Sequence, residues 1–199
     1  MAEPYPTGSR INATNELLVE QLLDVFIVNG FHGATLTELA RATGLSKASL
    51  YHHFPGGKDE MIATLIRRAV AEAQMLAWRH LQSAEIPRDA LAAFVDGVET
   101  YCKQGERQCL LAILCQAPLP EPEPGGIDLA GLIHTQMADW RASLANVFTS
   151  LGNKPKRAGR LADALMADMY GALLCAKLHN DAQFFTRQMK RIKKSIESL

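Results

Sequence analysis

The 199 residues predict an all-α chain: a three-helix N-terminal domain over residues 1–58 and a larger helical domain over residues 59–199. Three observations lead there. Apolar residues recur at helical spacing in segment after segment, with Gly, Pro or Asn at the breaks, and no run alternates as a strand would. Hydrophobic residues make up 48% of the chain, enough for a substantial core. Residues 35–54 spell two short helices joined by a tight turn.

The elements follow in order. Leu18, Leu22, Val25 and Phe26 give one stripe of a helix starting near Asn12 or Thr14, and Asn29-Gly30 ends it, since both tolerate the left-handed conformation of a C-cap. Phe31 is expected to plug the small N-terminal core. Helices over about 36–43 and 47–53 come next, and Pro55-Gly56-Gly57 breaks the chain. One long helix is predicted from Lys58 to Ser83, stopped before Pro87. Further helices are expected at about 88–104, 107–117, 127–151, 156–180 and 182–198, with a loop over 118–126 that holds four prolines and two glycines.

The segment 35–54 is the most specific. Thr35 can cap its helix by accepting from an otherwise unpaired backbone N–H, and Glu38 stands three residues later, as in a capping box. Gly44 permits a sharp turn, and Ser46 can cap the second helix. Leu36, Leu39, Ala40, Leu45 and Leu50 face a core, while His53 and Phe54 are expected to point inward. That leaves Lys47, Ser49, Tyr51 and His52 outward. Two helices around a short glycine-containing turn describe a helix-turn-helix, whose second helix enters the major groove of double-stranded DNA. Thr35 would meet a phosphate beside its helix N-terminus, and Lys47 and Ser49 stand where base edges are read.

The run Thr35 to Phe54, with Tyr51-His-His-Phe54 and Lys58 shortly after, resembles the DNA-binding domain of TetR/AcrR-family transcriptional regulators over about residues 14–70. The Pro55-Gly56-Gly57 insert is similar to the LmrA/YxaF-like branch. The resemblance implies phosphate contacts for Tyr51 and Lys58, a homodimer on a pseudo-palindromic operator, and a C-terminal domain that takes a small-molecule effector.

Charge constrains how DNA could be held. The net charge is zero, and residues 1–58 carry four Lys/Arg against five acids. Affinity must therefore rest on the placement of a few cations, hydroxyls and backbone amides. No apolar run approaches the ~20 residues of a membrane span, and Met1 to Arg10 lacks a signal peptide's apolar core, so no membrane partner and a cytoplasmic location are expected.

The C-terminal half offers seams, aromatics and thiols. Ala162, Leu165, Met169, Ala172 and Ala176 step by 3 and 4, as do Phe185, Met189, Ile192, Ile196 and Leu199. Such narrow stripes pack helices within one subunit or join two, and the second use, a four-helix bundle between subunits, is favoured. Met75, Trp78, Phe94, Tyr101, Met137, Trp140, Met166 and Tyr170 either fill a core or line a pocket for an apolar or aromatic ligand; Trp78, Tyr101, Trp140 and Tyr170 are the sharper candidates because their polar tips want partners when buried. Cys102, Cys109, Cys115 and Cys175 form no Cys-x-x-Cys pair, so they read as buried apolar side chains or, for the first three, as a redox sensor. His80, His134 and His179 fall on different helices, so no metal is expected, nor any cofactor. Gly-x-Ser-x-Gly, Walker-type and His-Glu-x-x-His motifs are absent, which argues against an enzyme. The sequence thus points to a ligand-responsive DNA-binding repressor, the alternatives being an enzyme with an incidental helix-turn-helix and an architectural DNA binder without a ligand cavity.

Overall fold

The computed structural model describes residues 13–83 and 86–198. The expectations for Met1 to Asn12 and for Leu199 lie outside the described residues. Every regular element among the described residues is helical.

Helix α1 (Ala13–Gly33) buries Leu18, Val19, Leu22, Leu23 and Phe26 and breaks its helical path at Gly30, where φ is 65°. In α2 (Leu36–Thr43) the capping box is formed, with Thr35 Oγ1 accepting from the Glu38 N–H while the Glu38 carboxylate accepts from the Thr35 N–H. Gly44, at φ 67°, turns the chain, and Ser46 caps α3 (Lys47–His53) by accepting from the Ser49 N–H at 3.0 Å. Phe26, Leu39, Leu50 and Phe54 close the core of this head, with Phe31 packed at its edge.

The expected single helix from Lys58 to Ser83 is interrupted. Helix α4 (Gly57–Ala73) passes into a π-helical turn, Gln74–Trp78, before the short α5 (His80–Ser83). Such a turn takes in an extra residue and re-aims the side chains after it. Helix α6 (Pro87–Tyr101) packs directly on the turn at Gly97, where a Cβ would collide with the Leu76 carbonyl oxygen and the Ala77 Cα. The extra residue swings Trp78 inward, and Met75 is left 57% exposed.

After a 3₁₀ turn (Lys103–Gly105) comes α7 (Leu110–Leu114), shorter than the 107–117 expected. The proline-rich loop precedes α8 (Leu129–Ser150), and α9 (Pro155–His179) and α10 (Ala182–Glu197) complete the domain. Helix α9 packs on α8 and α10, and α10 also covers α6. Helix α1 rests against both α4 and α7, so the head touches the C-terminal domain at two places.

The seam expected to join subunits is spent inside one chain. Leu165, Met169, Ala172 and Ala176 of α9 and Phe185, Met189, Ile192 and Ile196 of α10 are all buried in the protomer's own core. A 3-4 spacing records burial, not which chain provides the cover. The outer face of α9 instead carries exposed Leu174 (49%) and Leu178 (72%), with Ala164, Ala167 and Gly171 on the same side.

Candidate DNA-recognition surface and ligand cavity

Local sequence fixes the recognition surface. The capped α2 and α3 are held by buried Leu39 and Leu50, and this leaves Thr35, Ser46, Lys47, Tyr51 and His52 exposed, with Ser49 half-buried. His53, expected to face inward, is exposed as well, because α3 ends there and only Phe54 turns back into the core. Ser46 serves first as the helix cap, and its Oγ lies 2.8 Å from Ser49 Oγ. Gly57, at φ 64°, starts α4, and a Cβ there would press to 3.3 Å from the Tyr51 ring, so this glycine both makes the turn and gives the tyrosine its seat.

Lys58 is more constrained than its motif suggests. Its Nζ sits 4.3 Å above the Phe31 ring, and partial burial holds its pKa below the usual lysine range. A cation over an aromatic face keeps its charge while giving up conformational freedom. The ammonium is thereby held at the edge of the head rather than left to sweep through solvent.

The weakness in total charge is answered by distribution. Residues 41–58 hold Arg41, Lys47, Lys58 and two histidines, and no acid. Glu38, the nearest preceding acid, has its Oε2 accepting from both the N–H and the hydroxyl of Thr35, which lowers its pKa. Exposed Arg41 was not singled out from sequence; the acid-free run was the signal that would have found it.

In the C-terminal domain the four sharper aromatic candidates do come together. Trp78, Tyr101, Trp140 and Tyr170 line a small cavity of about 30 Å³ between the π turn, α6, α8 and α9. Trp78 and Trp140 stack with centroids 4.7 Å apart and planes 3° from parallel, and Phe94 packs edge-on against Trp78 from behind. Tyr170 donates weakly to Met137 Sδ at 3.5 Å, and Met166 is half-buried against the core. Met75 points away from the cavity and belongs to the surface. Met169, assigned from sequence to the subunit seam, is part of the wall, as are Cys102 and Cys109. Burial pushes the pKa of both thiols up, which leaves them protonated and poor nucleophiles. Among the described residues no group of three His, Cys, Asp or Glu side chains is placed to hold a metal.

A partly buried ion pair, invisible to periodicity, braces this region. Arg107 donates to both Glu72 oxygens, at 2.9 and 2.7 Å, and its guanidinium stacks on the Tyr101 ring at 4.5 Å. A larger cleft of about 420 Å³ lies between the end of α7 and the start of α8, but it is an open groove over loop residues. Where α1 meets α7, His32 donates from Nε2 to the Pro118 carbonyl at 2.6 Å, tying the head to the proline-rich loop.

A capped helix-turn-helix presented by a three-helix head on a helical domain defines a DNA-binding transcription regulator. Residues 18–65 match the family of bacterial regulatory proteins, tetR family. Among curated relatives, the HTH-type transcriptional regulator LmrA of Bacillus subtilis is 20% identical over 163 residues, covering 81% of this chain and 85% of that one. The HTH-type transcriptional regulator RutR of Escherichia coli K12 is 28% identical over 138 residues, 66% of this chain and 64% of its own. The crystal structure of a TetR transcriptional regulator from Legionella pneumophila superposes with a TM-score of 0.74 at 16% identity, covering 94% of this chain and 99% of that one. Residues 18–65 thus carry the DNA-binding domain of the TetR family of transcriptional regulators, and the curated relatives that match over longer stretches are HTH-type transcriptional regulators.

Proposed function

We propose that this regulator is a cytoplasmic repressor that binds a pseudo-palindromic operator as a homodimer and is released when a small apolar or aromatic ligand enters the C-terminal cavity. The carrying observation is one of connection. Helix α4 starts at Gly57, beside Tyr51 and Lys58, and runs to Ala73, itself a cavity residue, where it passes directly into the π turn that carries Trp78. A ligand that parts the cavity walls moves the far end of the helix that seats the recognition surface. By linkage, a ligand bound less tightly by the DNA-bound form lowers DNA affinity by the same factor.

In this reading Lys47 and Ser49 read base edges, whereas Thr35, Tyr51 and Lys58 hold phosphates, with Ser46 and His52 flanking them. The second copy docks on the outer face of α9. Leu174 and Leu178 are apolar and exposed there, and Ala164, Ala167 and Gly171 leave room for another helix to approach. Two recognition helices then meet successive major grooves about one DNA turn, ~34 Å, apart or modestly more.

A gel-shift against the DNA flanking the protein's own gene tests the proposal, with a panel of aromatic ligands added. Binding in the free state, lost at ligand saturation, is the expected result. Ligands that bind yet leave operator affinity unchanged would refute release while leaving the cavity as a binding site.

A further inference from the structure

The junction of α6 and α7 carries strained backbone. Among the described residues, Lys103, Gln104 and Asn180 are the non-glycine residues with positive φ, at 45°, 53° and 50°. Asn180 ends α9, where asparagine suits the left-handed conformation. Lys103 and Gln104 are adjacent, and Gly105 follows at 99°. The Cys102 carbonyl accepts from the Gly105 N–H at 2.9 Å, which closes a turn with positive φ at both central positions. Such turns normally take asparagine and glycine there, because the left-handed conformation presses an L side chain against its own carbonyl. Lysine and glutamine stand there instead, both exposed, so no buried side-chain contact requires them.

Strain of this kind persists only where the surroundings over-determine it. A Cβ on Gly105 would stand 2.7 Å from both the Ala182 carbonyl oxygen and the Phe185 Cβ, so this glycine is wedged against the start of α10. The Thr186 hydroxyl, one turn on, donates to the Gln104 carbonyl at 3.4 Å. The Cys102 carbonyl also accepts from the Arg107 N–H at 3.0 Å, and the Arg107 guanidinium is held by Glu72 of α4. Cys102 and Cys109 are buried on either side. The turn joins α6, packed on the π turn and on α10, to α7, which packs on α1 of the head. Any movement of α7 with the head relative to α6 therefore falls on these few residues.

We infer that Lys103–Gly105 is a strained hinge, held left-handed in the operator-binding form and relaxed when the head is released. A change of form must be driven by the free-energy gap between the two conformations. Strain confined to the operator-binding form narrows that gap, so a modest perturbation of the C-terminal domain suffices to move the head. Asparagine and glycine at 103 and 104 would hold the same turn with less strain and would widen the gap. The inference rests on the proposed reading that the C-terminal domain controls the head, and adds where the change is stored.

Substitutions at exposed residue 104 change left-handed preference and nothing buried. Gln104→Gly, Gln104→Asn and Gln104→Val in the full-length protein are compared with wild type on a duplex that the wild-type protein selects from random-sequence DNA. Gln104→Gly should raise Tm by about 1–3 °C, the relief of strain less the entropy a glycine adds to the unfolded chain. Valine is β-branched and tolerates positive φ least, so Gln104→Val should bind the duplex about threefold or more weakly, with helicity and subunit association unchanged. Gln104→Gly and Gln104→Asn should bind at least as tightly as wild type. Glu106→Val is the control, exposed in the same junction but right-handed at φ −74°, and should keep the wild-type affinity. Amide exchange gives a second reading that does not need the valine variant to fold: α7 amides should exchange about threefold or more slowly in Gln104→Gly than in wild type. Operator affinity that ignores the order of left-handed preference, or α7 exchange unchanged in Gln104→Gly, overturns the inference and leaves the proposed release standing. If the wild-type protein selects no duplex, both fall.

Discussion

Gly97→Ala is the sharpest test of how the cavity is held. Gly97 lies inside α6, where alanine is ordinarily favoured over glycine by about 1 kcal/mol. Here the added methyl meets the Leu76 carbonyl oxygen, the Leu76 carbonyl carbon and the Ala77 Cα, all backbone atoms of the π turn. No rotamer change can relieve that contact, so α6 must move off the turn. Displacing two packed helices by a fraction of an ångström forfeits a quarter to a half of each dispersion contact across the gap. Phe94, Val98, Trp78 and Ala77 all sit at that surface. Overpacking of this kind typically costs about 1–3 kcal/mol, and we expect a net loss of about 2 kcal/mol after the propensity gain. For a chain of this size that is a fall in Tm of about 4–8 °C. Gly159→Ala is the matched control. Gly159 is also buried within a helix, but its added Cβ meets the guanidinium end of Arg141, which can swing aside. That variant should be as stable as wild type or gain up to about 1 kcal/mol. Urea unfolding of the two variants side by side gives the answer. A Gly97→Ala protein within about 0.5 kcal/mol of wild type would refute the close approach and the explanation of the π turn built on it.

Other outcomes follow from the same geometry. Tyr51→Ala should weaken DNA binding alike on every operator variant, whereas Lys47→Ala should alter base preference by about 1–3 kcal/mol at one position; uniform loss for Lys47→Ala in a gel-shift series would move it to the phosphate class. Leu174→Glu combined with Leu178→Glu should yield monomers in sedimentation without loss of helicity, and a variant that stays dimeric places the interface elsewhere. Iodoacetamide at neutral pH should leave Cys102 and Cys109 unmodified in the folded protein, because burial raises both pKa values, and label them only on unfolding; mass mapping that finds early labelling there would restore a sensor role. His32→Ala should reduce the ligand-induced drop in operator affinity, with little change in ligand binding itself; unchanged coupling in a paired titration would show that the α1–α7 contact transmits nothing.

What could be read from the sequence follows how local the determinants are. The head was legible because its signals are self-contained: Thr35 with Glu38, Gly44, and Ser46 specify caps and a turn within a dozen residues. The four aromatic cavity residues were legible because buried Trp and Tyr need both ring contact and a polar outlet. Met75 was misjudged because it stands three residues before Trp78, a spacing that shares a face in a regular helix but not across a π turn. Nothing near residue 75 announces that turn, against which Gly97 of another helix packs. The α9 and α10 seams failed for a related reason, since spacing reports that a side is covered and is silent about which chain covers it. Arg107 with Glu72 was beyond reach, 35 residues apart and joined only by the fold.

The cavity touches both routes to the head, and this decides how a small ligand could act on distant DNA. One route is α4, which carries Ala73 at the cavity and Lys58 over Phe31 at the other end. The second runs through the junction of α6 and α7. Cys102 ends α6, Cys109 begins α7, and both line the cavity. Helix α7 in turn packs on α1, and the loop after it receives the His32 hydrogen bond. Between the two routes, Arg107 of the α6–α7 junction grips Glu72 of α4 with two hydrogen bonds, so the junction and α4 are fastened together one turn from the cavity. Expansion of the cavity can therefore shift α4 and α7 as a joined pair, whereas independent motion of either would break a bidentate, partly buried charge pair. In the proposed release, the head, gripped on two sides by elements that move together, would follow as a body, and Lys58 and α3 would travel with it.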